Sequence, residues 1–459
     1  MRRALWIVTT MAALAGCTVE TEGAACTKVG TGDECPSGQT CSLELLCSKS
    51  PFKPCEAASS GSDLAVDPVH GNVGVTTGGV ATGFPDPPGC RFRSLADALS
   101  AALGASPRTV KVYGNGAPSV DVPLGASTPV VVPGNVTLTT DLLTPDPTRF
   151  VLTAAGATGD LLHVEGGATV VGFTIRNTNG TGDGLAVVCG SGNATLDHVT
   201  VDGALNLARG VVAEDGVCGL TATALDVSNV NGPGLVVNHA GASVTVNGGS
   251  FHDNAGEGVV ASLGTLTLQG APTALTVQTN ALGGIRIEPP AGTVAATIGD
   301  VAIKRNGGVG LNIRSASSSS VSIARTVIAQ NGGTDYGSSP ARQANAVILF
   351  GNPPSGFSFK DNLVCWNGQH DEDVVGIWSS GNWDLSGPSD CSAGNQNTYA
   401  ATLADTDTGR YVRATGGGSD VRYNRSYPDP PASAALFENV QFDITKTCVG
   451  PSQFPVECE

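Results

Sequence analysis

Five basic residues fall within a short stretch of an acidic chain: Arg286, Lys304, Arg305, Arg314 and Arg325, against only Glu288 and Asp300. Side chains of this kind can hold an anionic sugar, and Arg286, Lys304 and Arg305 are the candidates to withdraw a proton beside a carboxylate. Three consecutive acids, Asp371, Glu372 and Asp373, offer the oxygen ligands that calcium takes. Calcium is the one cofactor the sequence suggests, since no nucleotide, haem or flavin fingerprint occurs. Past the leader the tryptophans are Trp366, Trp378 and Trp383, all within 18 residues, and Tyr336, Tyr399, Tyr411, Tyr423 and Tyr427 also lie in the last third. Flat rings on outward positions stack on sugar faces; the plainer reading is that large rings seal the end of a core. The plainer reading of the charges is a solvated surface. The six histidines form no visible pair, and neither a serine nucleophile elbow nor a zinc spacing occurs.

These residues sit on a repeat. The phrases "NVNGPGLVV", "FHDNAGEGVV", "QTNALGGIRI" and "KRNGGVGLNI" each run from a polar turn through glycine into alternating aliphatics. Taking the glycine before each alternating run as an anchor gives Gly184, Gly210, Gly234, Gly258, Gly284 and Gly310, at intervals of 26, 24, 24, 26 and 26. Looser copies follow at Ala346 and Gly376, after 36 and 30. A fixed period in the twenties means a solenoid. One step past each anchor comes an aliphatic residue (Leu185, Val211, Leu235, Val259, Ile285, Leu311, Val347, Ile377), and three steps past every anchor but Gly376 comes a second. Alternate residues of a strand point one way, so these should stack as an inner column. Trp378 and Arg286, two past their anchors, should then point outward. Asn254, Asn280 and Asn306, four before theirs, should stack and share amide hydrogen bonds. The Asn-Gly phrase is expected to supply the left-handed conformation of a sharp corner.

Net charge is −16, and without Arg2 and Arg3 the chain carries 22 basic against 40 acidic residues, about −18. Nucleic acid and anionic lipid surfaces are poor partners for it. The opening "MRRALWIVTTMAALAGC" has a basic start, an apolar stretch too short to span a bilayer, and a small-residue end. With Cys17 set aside, 12 cysteines remain, an even number that suits disulfides in an exported chain. Residues 26–55 hold five of them with too few apolar residues for a core. Candidate pairs are Cys55 with Cys90, Cys189 with Cys218 on neighbouring coils, Cys365 with Cys391, and Cys448 with Cys458. One helix is expected in "RFRSLADALSAAL", capped by Ser94 with Asp97 three residues on.

Leu14-Ala15-Gly16-Cys17 resembles the lipobox of bacterial lipoproteins, which implies acylation of Cys17, a membrane partner through that anchor and, with Thr18 following, the outer membrane of a Gram-negative cell. The helix, the "V-x-V-x-G" strands and the repeat resemble right-handed parallel β-helices of the pectin-lyase-like superfamily over roughly residues 92–395. The expected fold is therefore all-β: a right-handed parallel β-helix, or solenoid, with an N-terminal capping helix, preceded by a small disulfide-rich module. The expected organisation is a lipoprotein signal peptide over 1–17, a Cys-rich module and linker over 18–60, a linker over 61–91, the β-helix over 92–395 and a C-terminal cap over 396–459. The paired aspartates and Arg-x-Lys of polygalacturonase-like members do not occur; Asp183 in "TGDG" stands alone and reads as a turn residue. Three readings follow: a lipid-anchored, non-enzymatic surface protein with a glycan partner; a polysaccharide lyase or glycoside hydrolase using Arg286, Lys304 and Arg305 on an acidic polysaccharide; or a structural envelope component. The sequence does not give the oligomeric state.

Overall fold

The computed structural model describes residues 40–41, 47–48, most of 63–71 and, with short gaps, 91–332, 346–365, 375–378, 382–386, 396–400 and 412–441. It is an all-β parallel solenoid. Each coil visits three sheets in turn. Sheet A contains Arg108–Val112, Val136–Thr140, Thr169–Val171 and Asn193–Asp197. Sheet B contains Val120–Pro123, Phe150–Ala154, Thr174–Asn177 and Thr200–Asp202. Sheet C contains Val130–Val132, Leu162–Glu165, Leu185–Val188 and Val211–Asp215. Later coils continue all three sheets, and the long strands Leu235–His252 and Glu257–Gln269 bend through more than one of them.

The anchor ladder runs through sheet C as the sequence predicts. Leu185 pairs with Val211, then come Leu235, Val259, Ile285, Leu311 and Val347. It starts earlier, at Val130 and Leu162, and continues to Val375, Val412 and Phe437. The last copy is corrected. Val347 pairs with Val375, and Gly376 lies opposite Ile348, so Gly376 is not the anchor. Trp378 takes the register of Phe350, two places further along the strand than expected. Parallel pairing also crosses residue 395, since Leu363 pairs with Thr398 and Thr398 with Arg425. It likewise begins before residue 92, with Leu64 opposite Val110.

The inner residues of all three sheets form one core, filled by Leu138, Val170 and Leu196 from sheet A, Ile175, Val201 and Phe251 from sheet B, and the anchor ladder from sheet C. One α-helix, Leu95–Ala101, has Ser94 Oγ accepting from Asp97 N at 3.3 Å and buries Leu95, Ala98 and Leu99. Arg108 Nη1 donates to the carbonyl of Ala101 in its last turn at 3.1 Å.

The corner between sheets B and C carries the asparagine ladder. Asn254 Nδ2 donates to Asn280 Oδ1 at 2.8 Å, Asn280 to Asn306 at 2.9 Å, and Asn306 to Asn331 at 2.8 Å. All four are buried. The left-handed residue is not the asparagine but the one before it: Asp253, Thr279, Arg305 and Gln330 have φ of 54–55°. The asparagine satisfies the tight backbone and leaves the strained φ to its neighbour. The anchor glycines are needed for space. A Cβ at Gly284 would stand 2.4 Å from Gly310 O and 2.5 Å from Ile303 Cγ2. A second ladder, not expected from the sequence, links Asn362 to Asn397 at 3.1 Å and Asn397 to Asn424 at 3.4 Å.

Outward positions differ between sheets. On sheet B they are mixed, with Arg176, Asp202, Ser228, His252, Gln278 and Lys304 in one row. On sheet A one row is uniform: Thr109, Thr137, Thr169, Thr195, Thr221, Thr245, Thr267, Thr297, Ser322 and Ser358 are consecutive partners.

Candidate functional site

The outer face of sheet C carries Arg286 and Trp378 of the candidate site residues. Its middle row reads His163, Ala186, Val212, Val236, Val260, Arg286, Asn312, Ile348 and Gly376. The run from Ala186 to Val260 is buried although it faces away from the core. This apolar floor lies between two clamped arginines.

At one end Arg209 lies between two carboxylates. Its Nε and Nη2 donate to Asp183 Oδ1 and Oδ2 at 2.9 and 2.6 Å. Nη1 and Nη2 donate to Glu214 at 2.7 Å each. These bonds, Asp183 first and Glu214 second, hold the guanidinium proton even more firmly than usual, against its partial burial. Asp183 is therefore more than a turn residue: it is buried and fixes an arginine of the next coil.

At the other end Arg286 Nε stands 3.0 Å from Glu257 Oε1, a contact of charge without the angle of a directed hydrogen bond, and Nη1 is 3.3 Å from Glu288. Glu288 also takes Arg314 Nη1 at 3.2 Å. Arg314 then lies 5.9 Å from the ring centroid of Phe350. Phe350 is 52% exposed, and Trp378 follows it in register. Between Arg286 and Ile348 in the middle row, Asn312 Oδ1 is enclosed and has no hydrogen-bond donor among the described residues.

The basic residues that are neighbours in sequence do not form one cluster. Arg286 and Arg314 share Glu288 on sheet C. Lys304 is on sheet B, with no ion pair among the described residues. Arg305 sits at the corner, with Nε donating to Gln330 at 2.7 Å. Arg325, at the corner between sheets A and B, forms a two-pronged pair with Asp300, both bonds 2.7 Å.

Trp383 is corrected: it is fully buried, with Nε1 donating to Gly351 O at 3.1 Å and its ring edge-on to Phe357 at 4.8 Å. Tyr399 is also fully buried, and burial pushes its phenol well above the usual range. Cys365 is buried and disulfide-bonded. Cys17, Cys55, Cys90, Cys189, Cys218, Cys391, Cys448, Cys458, Trp366, Asp371, Glu372 and Asp373 lie outside the described residues. Among the described residues no group of acids, histidines and cysteines could hold a metal ion.

On sheet B, His252 lies between two acids, with Nε2 3.1 Å from Asp226 and Nδ1 2.7 Å from Asp253. The Asp226 contact, against burial and with help from Asp253, lifts its pKa from 6.5 to about 9. Stability from this pair is fully present below pH 6.5 and is lost as pH rises through about 9. The side chain is partly exposed, so the loss should be on the order of 1–3 kcal/mol. In urea titrations His252→Gln should be less stable than wild type at pH 6, with the gap closing by pH 10. A constant gap would show that the pair does not titrate as described.

No family model matches the chain, and no curated protein matches it. Two solved structures are similar in fold. One is the A-module of the Azotobacter vinelandii mannuronan C-5 epimerase AlgE6, at 13% identity and a TM-score of 0.41, covering 78% of this chain and 94% of that chain. The other is pectate lyase Pel9A, at 13% identity and a TM-score of 0.40, covering 86% and 89%. Neither likeness assigns an activity or a residue role to this chain.

Proposed function

We infer that this is a lipid-anchored envelope protein, held through Cys17 at the outer membrane, that binds glycan on the outer face of sheet C without cleaving it. The helix Leu95–Ala101 serves as the cap of the first coils in this reading. The observation that carries it is the half-exposed ring of Phe350 on this face, with Arg314 5.9 Å from its centroid and Arg286 sharing Glu288 with Arg314. The apolar face of a sugar can rest on such a ring while the arginines beside it donate to its oxygens.

The alternative is a polysaccharide lyase in which Arg286 withdraws the proton. It is disfavoured because Arg286 is already held between Glu257 and Glu288. A guanidinium already engaged by two carboxylates is not free to turn to a substrate carbon.

The test is retention of soluble protein lacking Cys17 on immobilised acidic and neutral polysaccharides. Phe350→Ala and Arg314→Ala should each weaken retention about tenfold, about 1.4 kcal/mol. Retention unchanged in both variants would remove sheet C as the site.

A further inference from the structure

The outward row of sheet A from Thr109 to Ser358 has no counterpart on the other two faces. Strand propensity alone does not produce it. Valine, isoleucine, tyrosine and charged residues all suit outward strand positions, and sheets B and C use aspartate, arginine, histidine and valine there. In this row every residue carries a hydroxyl, eight of them on threonine.

Three further properties go with it. First, these hydroxyls make no hydrogen bond among the described residues, whereas Thr276 on sheet B donates to Ser250 at 3.0 Å. Second, the row on one side (Asn193, Gly219, Ser243, Thr265, Ala295, Ser320) holds no charge. The row on the other side, from Lys111 to Lys360, holds a lysine at each end and one charge, Asp197, between them. Third, no outward aromatic ring stands in any of the three rows, so the surface lacks the platform on which sugars stack.

The array is also regular and rigid. Adjacent coils stand about 4.8 Å apart and alternate residues about 6.6 Å apart along the strand. The pairing through this row is unbroken, and the inner ladders and asparagine corners hold its rows in place. We propose that the outer face of sheet A binds ice. The coil spacing is close to the oxygen repeat along the a axis of hexagonal ice. Hydroxyls held at that spacing accept and donate to lattice waters, and the threonine methyls fill the gaps between them. Because the array is preorganised, binding does not have to order it. Strongly hydrated charges would hold competing water shells, and between the two end lysines the three rows hold only Asp197.

The experiment uses the full chain in slow ice growth, measuring its partition into ice and its inhibition of recrystallisation against serum albumin as a non-binding standard. Wild type should concentrate in the ice. Thr221→Lys with Thr245→Lys should lower that enrichment about tenfold, while Thr200→Lys on sheet B should not change it. Urea midpoints within about 0.5 kcal/mol of wild type establish that the variants are folded. If a variant is not folded, Thr221→Ser with Thr245→Ser replaces it and should retain partial enrichment. Exclusion of wild type from ice at the level of albumin overturns the proposal. Retention on microcrystalline cellulose or chitin that the same double variant abolishes, without enrichment in ice, also overturns it and transfers the face to a polysaccharide. Loss of glycan retention through Phe350→Ala leaves this test unaffected, because that ring lies on sheet C.

Discussion

Asn280→Ala should lower the unfolding free energy by about 3–5 kcal/mol. Asn280 is completely buried, and its Oδ1 accepts both from Asn254 N at 3.2 Å and from Asn254 Nδ2 at 2.8 Å. Its Nδ2 donates to Phe251 O and Asn306 Oδ1, each at 2.9 Å. Truncation leaves two donors of Asn254 unpaired, removes one donor from Phe251 O, and opens a cavity at a corner that cannot collapse while its neighbours hold the register. Each orphaned buried group costs about 1–3 kcal/mol. The check is the urea midpoint at an unchanged slope. Asn280→Asp keeps the acceptor but sets a carboxylate against Asn306 Oδ1. It should be as damaging at neutral pH and partly recover in acid, where the added proton restores a donor. A loss below about 1 kcal/mol for Asn280→Ala would mean that the ladder fills space rather than satisfying the turn.

Trp383→Ala should cost a similar 3–5 kcal/mol. The ring is among the largest fully buried side chains, packs edge-on against Phe357, and ties Gly351 O through its indole. Trp383→Phe keeps much of the volume and loses the hydrogen bond, so about 1–3 kcal/mol is expected. Phe350→Ala should behave in the opposite way. Its ring is half exposed, so stability should change by about 0.5 kcal/mol or less while glycan retention falls. The pair separates an aromatic that builds the core from one proposed to face a ligand. A Trp383→Ala protein that melts like wild type but no longer binds would reverse that assignment.

The aliphatic ladder was legible because it repeats a physical requirement on every coil: an inward residue must stack on the same residue of the coil below. The anchor glycines were legible for the same reason, although their cause is close approach and not backbone conformation. At Gly376 a glycine before "IW" imitates an anchor. The pairing of Val347 with Val375 shows that it occupies an outward place opposite Ile348. The site was less legible. One coil passes three faces in about 26 residues, so Arg286, Lys304, Arg305 and Arg325 are near in sequence yet divided among sheets and corners. The acids that hold Arg286 and Arg209 come partly from other coils: Glu257 and Asp183 belong to the coils before. No local pattern announces such partners. The threonine row was on the page as "TLT", "TAT", "SVT" and "ATI". It becomes a row only when the register between coils is known.

The most direct test of binding without cleavage is a polysaccharide panel in which ultraviolet absorbance of unsaturated uronates and release of reducing ends are followed beside retention on the same polymers. The account predicts retention of wild type on at least one glycan, lost in Phe350→Ala, with neither unsaturated product nor new reducing ends. Turnover that disappears in Arg286→Ala would contradict it and make the sheet C face an active site.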